Sequence, residues 1–272
     1  QVSTFAYNNR NATFLKSISF IHQTGLSGLK YIKKAIALQK NITVKYGVQY
    51  RNFLGTMMNE EDLNIVYTSY YFQPDAKHYD TAKYKFVGPS ISGRKNDSDT
   101  TDYSTLKRPL VYISMGTIWK DRVSLDIFID ALIDQDYTIV VSGTDTKKDY
   151  SHNGNVIIKP HINQLEVLKH CDAFITHGGM NSVSEGLQAK VPLCVYPLQA
   201  EQEEVARRVV DLECGVEIKK LTEKEIRRCV TLVLNKQDFY ENCGLVSASF
   251  AESGGYKKGA AHIHEYARRF KA

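Results

Sequence analysis

The segment Thr176–Leu187, THGGMNSVSEGL, gathers a histidine, two adjacent glycines, an asparagine, two serines and a glutamate. Such a set suits an anion. Gly178 and Gly179 let backbone N–H groups approach a ligand closely, and Asn181 and Ser182 add side-chain donors. A helix opening at this point adds its positive end, worth about 0.3–1 kcal/mol to a bound anion. The segment holds no lysine, so it fits a diphosphate held by neutral donors. His177 adds a donor at the strand end. Glu185, one turn past Asn181, is suited to accept from vicinal hydroxyls such as those of a ribose. The same residues also read as a tight turn followed by a capped helix start, and the segment alone leaves both readings open.

Other strand ends carry polar groups as well. RPLVYISMG runs into Ser114-Met115-Gly116-Thr117, a small-residue loop able to bring N–H groups to a phosphate. NVIIK runs into Pro160-His161-Ile162-Asn163-Gln164, where an imidazole can stack on a base. VPLCVYP runs into Gln199-Ala200-Glu201-Gln202, a carboxylate and an amide aimed at hydroxyls. Ligands of parallel sheets sit at the carboxyl ends of the strands, so four such ends together favour one composite site for phosphate, base, ribose and sugar.

The elements that must position these residues alternate. Apolar runs at 108–116, 138–143, 155–159, 172–176, 191–197 and GVEIK predict six strands. Helices are predicted from Val123, at NQLEVLKH, after His177, over Glu201–Leu212 with Gly215 as C-cap, and over most of the chain from Thr222. Strands and helices in alternation predict an α/β fold with a parallel, doubly wound sheet. The first part differs. It offers one helix in TGLSGLKYIKKAIALQKN, strands at LNIVYTS and KFVG, and a polar, turn-rich stretch from Gly88 to Ser104 that reads as a linker. The resulting division is 1–88 as a partial domain lacking its opening half, 89–105 as linker, 106–255 as a complete Rossmann-like domain, and 256–272 as a C-terminal helix.

Composition narrows the function classes. With 272 residues, 43% hydrophobic and 24% charged, the chain can bury a large core. No apolar run reaches the roughly 18 residues of a membrane helix. The net charge of +5 comes with scattered lysine pairs (Lys33-Lys34, Lys147-Lys148, Lys219-Lys220, Lys257-Lys258), which read as solvated surface and not as a nucleic-acid patch. Five cysteines without CxxC spacing read as buried free thiols. The sequons at Asn11, Asn41 and Asn96 read as chance in a chain without an export signal. No GxGxxG follows the first strand, which disfavours an NAD-binding enzyme. The expected location is the cytoplasm, free or peripheral to a membrane. A chain opening on Gln1 is expected to start inside a longer product.

The series SMGT, PHINQLEVL, FITHGGMNSVSEG and VPLCVYPLQAEQEEVARRV closely resembles the nucleotide-sugar half of family 1 glycosyltransferases, of the bacterial macrolide-glycosyltransferase type. The resemblance runs from FQPDAKHYD to the chain end. It implies a GT-B fold of two Rossmann-like domains, with 1–88 on the acceptor side, 106–255 as the donor domain and the 256–272 helix returning toward the first domain. It also implies an inverting transfer from a UDP-sugar, glucose by default, without metal or other cofactor. By position it puts His161 against the uracil face and Ile162 backbone at the uracil edge, with Gln164 and Glu185 on the ribose. It puts Gly116, Thr117, His177, Gly179, Asn181 and Ser182 around the diphosphate, and Glu201 with Gln202 on the transferred sugar. Plant members carry tryptophan at the His161 position and mostly aspartate at Glu201, and Asn163 stands where proline is common. Weaker base stacking is therefore expected.

The family's general base is a histidine on a glycine-bearing loop early in the first domain, oriented by an aspartate. Neither matches these residues, so the chain is expected to lack the start of that domain and to bind donor better than it catalyses. An incomplete domain exposes a sheet edge, which predicts association through it. His177 reads as a leaving-group clamp and not as the base. His22, His78, His262 and His264 read as surface or local packing. The competing reading is a non-catalytic or split nucleotide-sugar-binding subunit whose partner supplies the base.

Overall fold

The computed structural model describes residues 2–3, 33–34, 36–47, 61–91, 99–116 and 124–269. Thr117 and His22 lie outside them. Three short parallel strands, β1 (Val2–Ser3), β2 (Asn64–Val66) and β3 (Tyr84–Phe86), form a first sheet in that order. Residues 36–46, ahead of β2, are helical, so this helix runs past the expected end at Asn41.

The main sheet has six parallel strands: β4 (Leu110–Ser114), β5 (Thr138–Ser142), β6 (Val156–Lys159), β7 (Ala173–Thr176), β8 (Leu193–Val195) and β9 (Gly215–Glu217). Their order is β6-β5-β4-β7-β8-β9. Helices α1 (Asp126–Leu132), α2 (Gln164–Val167), α3 (Met180–Gln188) and α4 (Ala200–Asp211) follow β4, β6, β7 and β8. Three more, α5 (Glu223–Asn235), α6 (Gln237–Ser253) and α7 (Gly255–Arg268), complete the chain. Among the described residues no helix is long and apolar enough to cross a membrane.

Side chains on a strand alternate between faces, and here both faces are covered, so the strands are apolar throughout. Leu110 and Tyr112 of β4 join Phe174, Leu193 and Val195 in a core layer closed by α3, α4 and α6. Val111 and Ile113 point the other way, into Ile139, Val141 and Ile175 beneath α1 and α5. Each fully buried side chain of this size contributes about 1.5–3 kcal/mol. Thr222 accepts from Glu225 N–H at 3.3 Å, the N-cap that starts α5 where its sequence places it. All five cysteines are buried.

One expectation changes. Gly215 is not the C-cap of α4, because it belongs to β9. The helix is closed by Leu212, and Glu213 takes the left-handed conformation (φ 47°). Gly215 is required instead by close approach, since a Cβ there would lie 2.0 Å from the Leu193 carbonyl oxygen. The described end of the stretch read as a linker packs closely. Tyr103 is 2% exposed and the Asp99 side chain is fully enclosed.

The first sheet is tied to the α6–α7 corner. Gly255 N–H donates to the Val87 carbonyl at 2.6 Å, and Ser69 and Ser249 share a hydroxyl hydrogen bond of 2.8 Å. Helix α7 lies over β2 and β3, with Gly259 facing Ile65, Val87 and Tyr67.

Candidate functional site

The strand order reverses between β4 and β7, whose neighbours lie on opposite sides, and this opens a crevice at their carboxyl ends. Ser114 and Thr176 pair as the last residues of the two strands. The loops that leave them meet at His177. A Cβ on Gly116 (φ 74°) would fall 2.6 Å from His177 Cε1, and one on Gly179 would fall 2.5 Å from His177 Nε2. The imidazole is thus lodged between two glycines that leave it room. Its Nδ1 is buried with no hydrogen-bond partner, and burial lowers its pKa, which favours the neutral ring.

Helix α3 begins at this junction. Its N-cap is Gly179, and no side chain caps it. The capped-turn reading of Asn181 and Ser182 is therefore not what the structure has. Asn181 is exposed and Ser182 half-buried. Gly178 (φ 87°) packs so closely that a Cβ would lie 2.7 Å from Val195 Cγ1 and 3.3 Å from the Gln202 carbonyl. That contact brings the start of α4 beside the start of α3. Both helix starts face the carboxyl edge of the sheet, the arrangement that favours an anion.

A second group joins β4, α2 and α3. Tyr112 Oη donates to Gln164 Oε1 at 3.2 Å, and Gln164 Nε2 donates to Glu185 Oε2 at 2.6 Å. Burial pushes the Tyr112 hydroxyl well above its ordinary pKa, so it stays protonated and donates. The Tyr112 ring stacks on Phe174 with centroids 4.9 Å apart, which fixes the start of the relay. Glu185 is 3% exposed, yet it lines a pocket of about 130 Å³ with Asn181 and Ser184. The opposite wall is Tyr67, Pro89, Ser90 and Ile91, so the first sheet's connection completes the enclosure.

The remaining expected residues divide. His161 is exposed on the loop after β6, and Ile162 beside it is buried. Glu201 is exposed on the first turn of α4. Gln202 is buried and its Oε1 accepts from Leu198 N–H at 2.7 Å, so that oxygen serves its own loop. His78 and His264 are exposed and His262 is half-buried. Tyr112, Tyr67 and Ser90 were not singled out from sequence. Tyr112 sits inside an apolar strand, where nothing local marks it as polar machinery, and Tyr67 and Ser90 reach the site only through tertiary packing.

A family model described as "UDP-glucoronosyl and UDP-glucosyl transferase" matches residues 91–251. The chain is 34% identical over 230 residues to the uncharacterized UDP-glucosyltransferase YdhE of Bacillus subtilis (strain 168), covering 82% of this chain and 58% of that protein. It is 32% identical over 270 residues to the uncharacterized UDP-glucosyltransferase YojK of the same organism, covering 97% of this chain and 66% of that protein. Among solved structures, the glycotransferase of kitacinnamycin matches with a TM-score of 0.77 at 22% identity, over 97% of this chain and 69% of that one. That last likeness is one of fold.

Proposed function

Because the chain belongs to the UDP-glucoronosyl and UDP-glucosyl transferase family and has a GT-B fold, we propose that it carries the donor site of an enzyme that moves a hexose from a UDP-sugar to an acceptor hydroxyl. The observation that carries this reading is the Tyr112–Gln164–Glu185 relay, set beside an uncapped helix start that holds His177 between Gly116 and Gly179.

The relay orients a carboxylate toward vicinal hydroxyls. The N–H groups at the start of α3 face the neighbouring diphosphate, with Asn181, Ser182 and His177 as further donors. In the proposed reaction an acceptor oxygen attacks the anomeric carbon and the bond from that carbon to the diphosphate oxygen breaks. The sugar inverts, and UDP departs with the bonding pair. The acceptor proton passes to a base on the acceptor side. His177, neutral and facing the leaving group, stabilises charge without abstracting a proton. Neutral donors and a helix end meet the diphosphate, so the transfer needs no metal. Glucose is the proposed sugar, and the acceptor is a small molecule or lipid.

Two measurements test this. Calorimetric titration with UDP is expected to show binding, with Glu185→Gln weakening it about tenfold through loss of a charged acceptor. The same variant should narrow the preference for UDP over 2′-deoxy-UDP. Absence of binding to folded protein at millimolar UDP overturns the donor site. Mass spectrometry with UDP-glucose, UDP-N-acetylglucosamine and UDP-glucuronic acid, against a panel of phenols and alcohols, identifies the sugar. Loss of transfer in EDTA overturns metal independence.

A further inference from the structure

We propose that Asp99 is a positioning residue that holds the loop between β6 and α2 in register with the nucleobase, and that it thereby sets base selectivity. This rests on the donor-site reading above, in which His161 and Ile162 meet the base.

The geometry is a clamp. Asp99 Oδ1 accepts from Lys159 Nζ at 3.0 Å and from Thr101 Oγ1 at 2.9 Å. Its Oδ2 accepts from Asn163 N–H at 2.9 Å and from Tyr103 Oη at 2.7 Å. Lys159 also bonds Thr101 Oγ1. Lys159 is the last residue of β6 and Asn163 is the N-cap of α2, so one carboxylate grips both ends of the tripeptide Pro160-His161-Ile162. Past the clamp, Asn163 Oδ1 caps Glu166 N–H, and Gln164 reaches Glu185. The position of Asp99 is therefore passed to the base loop, while Gln164, beyond the N-cap, is held separately by Tyr112 and Glu185.

The Asp99 side chain is fully enclosed, so burial works to raise its pKa. Hydrogen bonds from Tyr103, Asn163, Lys159 and Thr101 outweigh that and hold it below the usual carboxylate range. A charged acceptor is what this site is built for. An amide cannot replace it, because its NH₂ would face one of two pairs of donors and release one end of the loop.

The test compares UDP and ADP binding by wild type, Asp99→Asn and Tyr103→Phe, with thermal melting of each sample. Wild type is expected to prefer UDP. Asp99→Asn should weaken UDP binding about tenfold, with ADP binding changed less than about twofold, so that the preference collapses. Tyr103→Phe keeps the ring and removes one bond to the carboxylate, and should move the preference the same way by a smaller factor. It decides the matter if Asp99→Asn does not fold. Equal weakening of UDP and ADP, as lost folded protein would give, overturns the proposal, as does an unchanged preference in the folded variants. A wild type that binds neither nucleotide overturns the donor site itself, and the positioning role falls with it.

Discussion

At the scale of the residue, His177 carries the sharpest consequence. Burial depresses its folded pKa below the ordinary value of about 6.5. The unfolded chain therefore binds more protons below that pH, and the stability tied to a neutral ring is held above about 6.5 and lost as pH falls from there toward the folded value. Ligand-free protein should lose melting temperature between pH 7.5 and 5.5, and His177→Gln should lose less over the same interval. Identical losses in differential scanning calorimetry would refute the assignment. The convergence of Gly116, His177 and Gly179 at one crevice was legible, because their strands run parallel and end side by side. The choice between cap and cradle was not legible. Asn181 and Ser182 are good N-caps by type, and only the backbone shows that Gly179 takes that place with no side-chain cap.

At the scale of the element, the six strands and the helices between them were readable because both faces of the sheet are buried and apolar runs mark each strand. Where reading failed, the determinant was distant in sequence. Gly215 looked like a helix stop because glycine near a helix end usually is one. Its real constraint is the Leu193 carbonyl on the adjacent strand, which a side chain would strike. Gly215→Ala should therefore break the β8–β9 pairing and cost at least about 3 kcal/mol, measured as a shift of the urea midpoint. A cost under about 1 kcal/mol would show that the edge strand simply moves away. Asp99 is the same lesson in a polar stretch. Its turn chemistry with Thr101 was legible in type, whereas its partners Lys159 and Asn163 lie far along the chain and leave no local trace.

At the scale of the whole molecule, the first sheet and the six-stranded sheet are joined by more than the chain. Arg208 of α4 donates from Nε to the Phe72 carbonyl at 2.8 Å and from Nη2 to the Tyr71 carbonyl at 2.6 Å. In sequence it is one arginine of a pair on a polar helix face, indistinguishable from solvated surface. Arg208→Ala should cost about 1–3 kcal/mol by removing both charged hydrogen bonds. Arg208→Lys should recover less than half of that, because an ammonium lacks the planar fork. Full recovery by lysine in thermal denaturation would reduce the contact to simple charge.

The chain leaves β3 through Gly88 and turns from α6 into α7 at Gly254–Gly255, and the two turns touch. A Cβ on Gly88 would lie 2.9 Å from Ser253 Cβ, and Gly255 holds the Val87 carbonyl. A side chain at Gly88 would press on the end of α6, so Gly88→Ala is expected to disturb both turns at once, read as a lower melting temperature.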